Sequence, residues 1–211
     1  MKKSFPLFAT YSDYLAYQTK HACSLEGQIP RYKKGQEKFI KKEFLNIDRN
    51  ASILDCACGD GTGLQCFKSL GFKNVVGVEL CRKKAQLARK SKFKIFQKDM
   101  HNLLSVFHPS TFDIIFSSHT LEHAFDPDQV IRGFHELLRF LGSIFIVLPY
   151  PDEVEDKHRK KAHCGSEKLG LTIKDEGETA VQYFLNREFR LASKKFNSER
   201  EPEIWLKLER I

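Results

Sequence analysis

The stretch Ile53-Leu54-Asp55-Cys56-Ala57-Cys58-Gly59-Asp60-Gly61-Thr62-Gly63 sets the reading of the whole chain. Ser52 to Asp55 is a short apolar run of strand type, and it ends in a turn of small residues. From Leu64 to Leu70 apolar side chains recur at helical spacing, so the segment reads strand, turn, helix. Small residues at such a turn let backbone approach a ligand closely, beside the N-terminus of a helix.

The same unit recurs outward. Asn74 to Glu79 is β-branched and preceded by Gly71, and Cys81 to Lys90 follows as a basic helix. Phe93 to Gln97 and Phe112 to Ser117 are the third and fourth strand candidates. Asp126-Pro127-Asp128 opens a helix whose core face is Val130, Ile131, Phe134, Leu137, Leu138 and Leu141, with Gly142 at its end. Ser143 to Leu148 is nearly continuous in apolar residues, as a strand buried on both faces must be. Five strands alternating with helices predict an α/β fold with right-handed crossovers and a ligand at the carboxyl ends of the strands. Past Pro149 the pattern changes. Pro151 to Gly170 reads as a polar loop and Asp175 to Arg187 as a helix, and Phe189–Phe196 and Glu203–Leu208 read as a closing hairpin. Ahead of the first strand, Tyr11–His21 and Gln36–Leu45 read as amphipathic helices.

With 211 residues and 41% hydrophobic content, one domain is expected. Its parts are a helical lead-in or lid (1–47), a ligand-binding core (50–149), a substrate-side loop (150–172) and a helix with closing hairpin (173–211). The longest apolar run, around Ile144–Leu148, is far short of the roughly 20 residues of a membrane span. Met1-Lys2-Lys3 resembles the start of a signal peptide, but Pro6 and the polar Thr10–Asp13 interrupt it, so a cytoplasmic protein is expected. Six cysteines (Cys23, Cys56, Cys58, Cys66, Cys81, Cys164) read as buried, inert thiols. A disulfide framework does not suit that compartment, and the paired C-x-x-C knuckles of a zinc site are absent, so no metal is expected. The net charge of +8 arises entirely before Pro149, with 22 basic and 14 acidic residues up to Leu148 against 13 and 13 beyond. It peaks in Arg31–Lys42 and Arg82–Lys98, runs that suit either solvated helix surfaces or a face for a polyanion.

Three acids, Asp55, Glu79 and Asp99, close the first three strands in turn, and a purely structural alternation has no need of them. Glu79 stands 18 residues beyond Gly61, where a carboxylate can accept hydrogen bonds from ribose hydroxyls. On these residues the chain resembles the class I S-adenosylmethionine-dependent methyltransferases, in particular the small-molecule branch of the ubiquinone-biosynthesis enzymes. The likeness covers Asn50 to Leu148 and, more loosely, the terminal hairpin. The family's D-x-G-x-G-x-G motif is matched by Asp55, Gly59 and Gly61, with Ala57 in place of its first glycine. The resemblance implies a doubly wound, mostly parallel seven-stranded sheet with an antiparallel C-terminal hairpin. It implies S-adenosylmethionine as cofactor, with the turn of Ala57, Cys58, Gly59 and Gly61 against the methionine part. Glu79 would hold the ribose, Leu80 would pack on the adenine, and Asp99 would meet the adenine amino group with Met100 beside it. Ser117-Ser118-His119-Thr120-Leu121-Glu122-His123 looks like the fourth-strand motif bordering the transferable methyl.

A nicotinamide dinucleotide is the lesser reading, because Gly59, Gly61 and Gly63 alternate and do not follow G-x-G-x-x-G. Ser-Ser-His-Thr stands where DNA-base amino methyltransferases carry Asn/Asp-Pro-Pro-Tyr. The expected acceptor is therefore an O or N atom of a small, anionic molecule. RNA or protein is an alternative favoured if the basic runs share a face with the site, and a non-catalytic cofactor-binding module is another. His119 is the candidate general base, with a lining role as its alternative. Glu122 and His123 are expected to be structural. In the segment 156–167, His163 is a candidate substrate ligand, while His158, His163 and Cys164 make only a weak metal pattern. Tyr11, Tyr14, Arg31 and Tyr32 could line a lid or pack on the sheet.

Overall fold

A computed structural model of the chain describes residues 7–24, 30–152, 157–197 and 202–211. Seven strands form one sheet: β1 (Ser52–Cys56), β2 (Asn74–Glu79), β3 (Lys94–Gln97), β4 (Phe112–Ser118), β5 (Leu138–Pro149), β6 (Phe189–Asn197) and β7 (Glu203–Arg210). Their order is β3-β2-β1-β4-β5-β7-β6, with β1 to β5 parallel and β7 inserted antiparallel between β5 and β6. This is the doubly wound sheet with a terminal hairpin that the sequence implies. The strand order reverses between β1 and β4, which opens a crevice at their carboxyl ends.

The helices are α1 (Tyr11–Ser24), α2 (Pro30–Glu43), α3 (Thr62–Ser69), α4 (Arg82–Ala88), α5 (Pro127–Leu137), α6 (Lys157–Ala162) and α7 (Glu178–Leu185). Alternate strand residues face opposite layers. Ile53, Ile114, Phe116, Phe145 and Val147 pack with Phe39, Ile40 and Phe44 of α2, Leu64 and Phe67 of α3 and Ala85 of α4. Leu54, Ile115, Ile144, Ile146 and Leu148 pack with Val130, Ile131 and Phe134 of α5 and Phe184 of α7. The Phe44 ring lies 4.5 Å from Phe145, and Phe39 meets Trp205 edge-on at 4.9 Å. Each such fully buried side chain contributes about 1.5–3 kcal/mol of transfer free energy, so α2 is part of the core and no detachable lid. α1 instead lies along the carboxyl edge. Tyr14 is buried against His101 and Phe125, and Gln18 Nε2 donates to the Ala162 carbonyl at 2.8 Å. Among the described residues, no helix is long and apolar enough to cross a membrane.

Four expectations need correction. α5 stops at Leu137, and Leu138 already pairs with Phe112 as strand. A register shift before Ser143 leaves Leu141 at φ 61 and exposed, so it has no place on the core face. The helix expected from Asp175 starts at Glu178, because the Asp175 carboxylate accepts the N–H groups of Gly177 and Thr179 and shapes the entry turn. The polar segment after Pro151 holds a helical stretch, α6. Cys23 and Cys81 are joined in a disulfide, while Cys56, Cys58, Cys66 and Cys164 are free. α1 runs close to α4, bringing Cys23 at its end to the residue that opens α4, a proximity no linear spacing reveals. Alkylation of the unfolded, unreduced protein is therefore expected to label four of the six cysteines, and all six after reduction, as counted by intact mass.

Candidate active site

The turn after β1 is built from alternating left-handed residues: Ala57 at φ 59, Gly59 at φ 57 and Gly61 at φ 94. Ala57 thus adopts a left-handed backbone that a glycine would take freely, at a cost of about 1–2 kcal/mol. Cys58 donates its N–H to Val78 and turns its thiol toward Gly77, where a Cβ would lie 2.8 Å from the sulfur. It offers a ligand backbone, not side chain. The Gly59 N–H goes to Glu79 Oε2 at 2.9 Å and the Cys81 N–H to Glu79 Oε1 at 2.8 Å, so one carboxylate holds two successive strand-to-helix turns. Burial still raises the Glu79 carboxyl, although these N–H groups and Lys84 pull it down. Asp55 sits at the end of β1, where burial, with the Glu79 charge second, pushes it up to about 8. A Cβ on Gly63 would meet Asp55 Oδ2 at 2.7 Å and Gln36 Nε2 at 3.3 Å, which places the α2 residue Gln36 over the same point.

Asp99 caps the turn after β3. Its Oδ1 accepts the His101 N–H at 2.8 Å and lies 2.6 Å from His101 Nδ1. His101 Nε2 accepts the Asp126 N–H, so Nδ1 carries the ring proton and donates it. Burial would raise Asp99, but the bonds from His101 outweigh it and hold the carboxyl below its ordinary value. Leu80 and Met100 are half-buried at the two neighbouring strand ends, and Ser117 is fully buried at the end of β4. Asp55 Oδ2, Asp99 Oδ2, Gln36 Oε1 and Ser117 Oγ are buried without hydrogen-bond partners. The carboxyl edge of the sheet thus presents a row of acceptors.

At the neighbouring end of the crevice, His119 stands at φ 50 with its N–H on the Val147 carbonyl. Its Nε2 lies 2.9 Å from Glu203 Oε1, and its Nδ1 lies 3.7 Å from Glu122 Oε1. Glu203, 84 residues away in sequence, carried no local signal. It is the first residue of β7, opposite Pro149 of β5. Glu122 is buried, and burial raises its carboxyl. His123 donates Nδ1 to the Ala162 carbonyl at 2.8 Å, and burial, with His163 second, pushes it down to about 3, so it is neutral at physiological pH. His163 is tied to Asp152 at 2.8 Å and set edge-on to His123 at 4.8 Å. His158 is exposed, and no group of three metal-ligating side chains gathers among the described residues. Tyr11 and Tyr14 border Asp99, whereas the side chains of Arg31 and Tyr32 lie outside the described residues.

Residues 54–146 match a family model described as a methyltransferase domain. Over that span the chain is similar to this methyltransferase family. The ubiquinone biosynthesis O-methyltransferase of Aromatoleum aromaticum is 32% identical over 109 residues, which is 47% of this chain and 46% of that protein. The match thus spans about half the length of this curated relative. Among solved structures, a SAM-dependent methyltransferase from Aquifex aeolicus superposes with a TM-score of 0.67 at 11% identity, covering 92% of this chain and 98% of that one. One from Mesorhizobium loti gives 0.63 at 15%, covering 84% and 100%. The cyclase SpnF gives 0.67 at 11%, covering 84% and 81%, so the same fold also carries a different chemistry.

Gly61 is tightly constrained in the site turn, because a Cβ there would lie 2.9 Å from Ala88 Cα and φ is +94. Gly61→Ala is expected to cost about 1–3 kcal/mol in urea unfolding.

Proposed function

We propose that this chain is an S-adenosylmethionine-dependent methyltransferase acting on a small molecule, with an oxygen or nitrogen atom as acceptor. The observation that carries the reading is the row of buried, unpartnered acceptors, Asp55 Oδ2, Asp99 Oδ2 and Gln36 Oε1, along the edge of a methyltransferase domain. The family's cofactor fits them in kind, since its ammonium, ribose hydroxyls and adenine amino group are all donors and its sulfonium is a cation. Glu79 and Asp55 would hold the ribose and methionine parts, Leu80 and Met100 the faces of the adenine, and Asp99 its amino group. When bound, S-adenosylmethionine supplies a methyl group on a positively charged sulfur, a good leaving group. The task of the chain is then mainly to position the acceptor and exclude water.

His119 adds a proton acceptor beside the fourth strand, which suits a hydroxyl better than an amine. On this reading His119 would take the hydroxyl proton, and bound S-adenosylmethionine would supply the methyl group to the oxygen. The curated relative's description as an O-methyltransferase supports the same choice of atom. A second reading, an RNA acceptor, draws on charge. Lys34, Lys38, Lys41 and Lys42 of α2 and Arg82 and Lys83 of α4 are exposed on helices that pack against the same face of the sheet.

Transfer of labelled methyl from S-adenosylmethionine distinguishes them. The proposal expects label in the low-molecular-weight fraction of a metabolite extract, lost in Glu79→Ala and Asp99→Ala. Label confined to RNA, with binding that falls steeply as salt rises, supports the second reading. No label in any fraction contradicts both.

Asp55 gives a separate check. Its folded value of about 8 lies above the unfolded carboxyl range, so its contribution to stability is complete at low pH and is lost as pH rises through about 8. A cation bound beside it reverses the preference and expels a proton. At pH 7 the heat of S-adenosylmethionine binding should therefore change with the ionisation enthalpy of the buffer, and should cease to do so in Asp55→Asn.

A further inference from the structure

We infer that the Cys23–Cys81 disulfide is a redox-controlled latch, which when formed holds α1 shut across the crevice and when reduced by a dithiol lets α1 open for ligand exchange. That the ligand is S-adenosylmethionine rests on the function proposed above. The closing role of α1 stands apart from it.

The placement of α1 carries the inference. The helix meets the turns on both sides of the point where the strand order reverses. On one side, Tyr14 lies 5.4 Å from the His101 ring in the turn after β3, and Cys23 is bonded to Cys81 in the turn after β2. On the other, Tyr14 lies 5.3 Å from Phe125, after β4. Gln18 Nε2 donates to the carbonyls of His123 at 3.3 Å, after β4, and of Ala162 at 2.8 Å, in α6. The helix therefore bridges the crevice. Asp55 Oδ2 and Asp99 Oδ2, at the ends of β1 and β3, are buried in this closed arrangement, so a ligand that meets them must enter past a displaced element.

α1 is suited to that movement. Of its described side chains only Tyr14 and Gln18 are buried, and none joins the two apolar layers on the sheet, whereas α2 contributes Phe39, Ile40 and Phe44. Edge contacts of this kind open locally far more readily than a core helix does, and a covalent tie near the end of the helix opposes the opening. The tie is fastened to the frame of the site itself, because Cys81 is fully buried and its N–H bonds Glu79 Oε1.

The two sulfurs differ in access. Cys23, next to last in α1, is half-buried, so it is the one an incoming thiolate reaches. Attack there forms a mixed disulfide and releases the Cys81 sulfur, which takes a proton. The second thiol of the dithiol then displaces Cys23, so the dithiol leaves as its own disulfide and the protein gains two electrons and two protons as two thiols. Burial raises the thiols of Cys56, Cys58, Cys66 and Cys164, which makes them poor competitors in this exchange.

The test compares the purified chain before and after treatment with dithiothreitol, using amide hydrogen exchange and the binding kinetics of labelled S-adenosylmethionine. Reduction is expected to speed exchange of the α1 amides about tenfold or more. Association and dissociation of S-adenosylmethionine should both quicken, also about tenfold or more. Cys23→Ser should show the fast behaviour without dithiol and no response to it, and reoxidised wild type should return to the slow behaviour. Unchanged α1 exchange in a chain whose reduction is confirmed by mass overturns the inference, even if Cys23→Ser fails to fold. Six reactive thiols in the unfolded, unreduced chain overturn it as well. Faster α1 exchange with unchanged S-adenosylmethionine kinetics also overturns it, since the bond would then be a staple and no gate. Faster α1 exchange in a chain that binds no S-adenosylmethionine in either state contradicts the cofactor reading and leaves the latch on α1 established.

Discussion

Two hydrogen bonds to one carboxylate hold the working edge of this protein together. Glu79 ends β2 and accepts the N–H of Gly59 from the preceding turn and of Cys81 from its own. In the turn after β1 every second residue is left-handed and has little side chain to pack, so its position depends on such contacts. With it fixed, Asp55 is buried beneath the turn and Asp99 is capped by His101 one strand further on. Burying several carboxylates side by side is unfavourable, and Asp55 registers it in a value of about 8. A ligand rich in donors and carrying positive charge relieves that cost, which is why the edge suits a sulfonium nucleotide better than an anionic one.

The candidate site has two ends along one crevice, and they are supported differently. The acceptors at β1 and β3 rest on the parallel sheet, whose strands are buried on both faces. The His119 end depends on the antiparallel hairpin, because Glu203 enters from β7 and Trp205 behind it is packed by α2. The hairpin is thus more than a cover for the β5 edge. Similar folds occur in a methyltransferase and in a cyclase, so the fold by itself does not name the reaction.

Much of this was legible in the sequence for a physical reason. Strands buried on both faces read as apolar runs, and acids closing successive runs have no role in packing, so β1 to β5 and Asp55, Glu79 and Asp99 stood out. The boundary of α5 did not. Leu138 and Leu141 continue its apolar spacing, but pairing of Leu138 with Phe112 and a bulge before Ser143 override that local signal. Cys23–Cys81 and His119–Glu203 were illegible because each joins elements distant in the chain, separated by 58 and 84 residues. No spacing rule connects such positions.

Binding of S-adenosylmethionine and S-adenosylhomocysteine to the purified chain, beside Glu79→Ala checked for intact fold, addresses the central claim most directly. Saturable binding of both by the wild type at one molecule per chain, with loss in the folded variant, is the predicted result. A wild type that ignores both and binds a nicotinamide dinucleotide instead would contradict it.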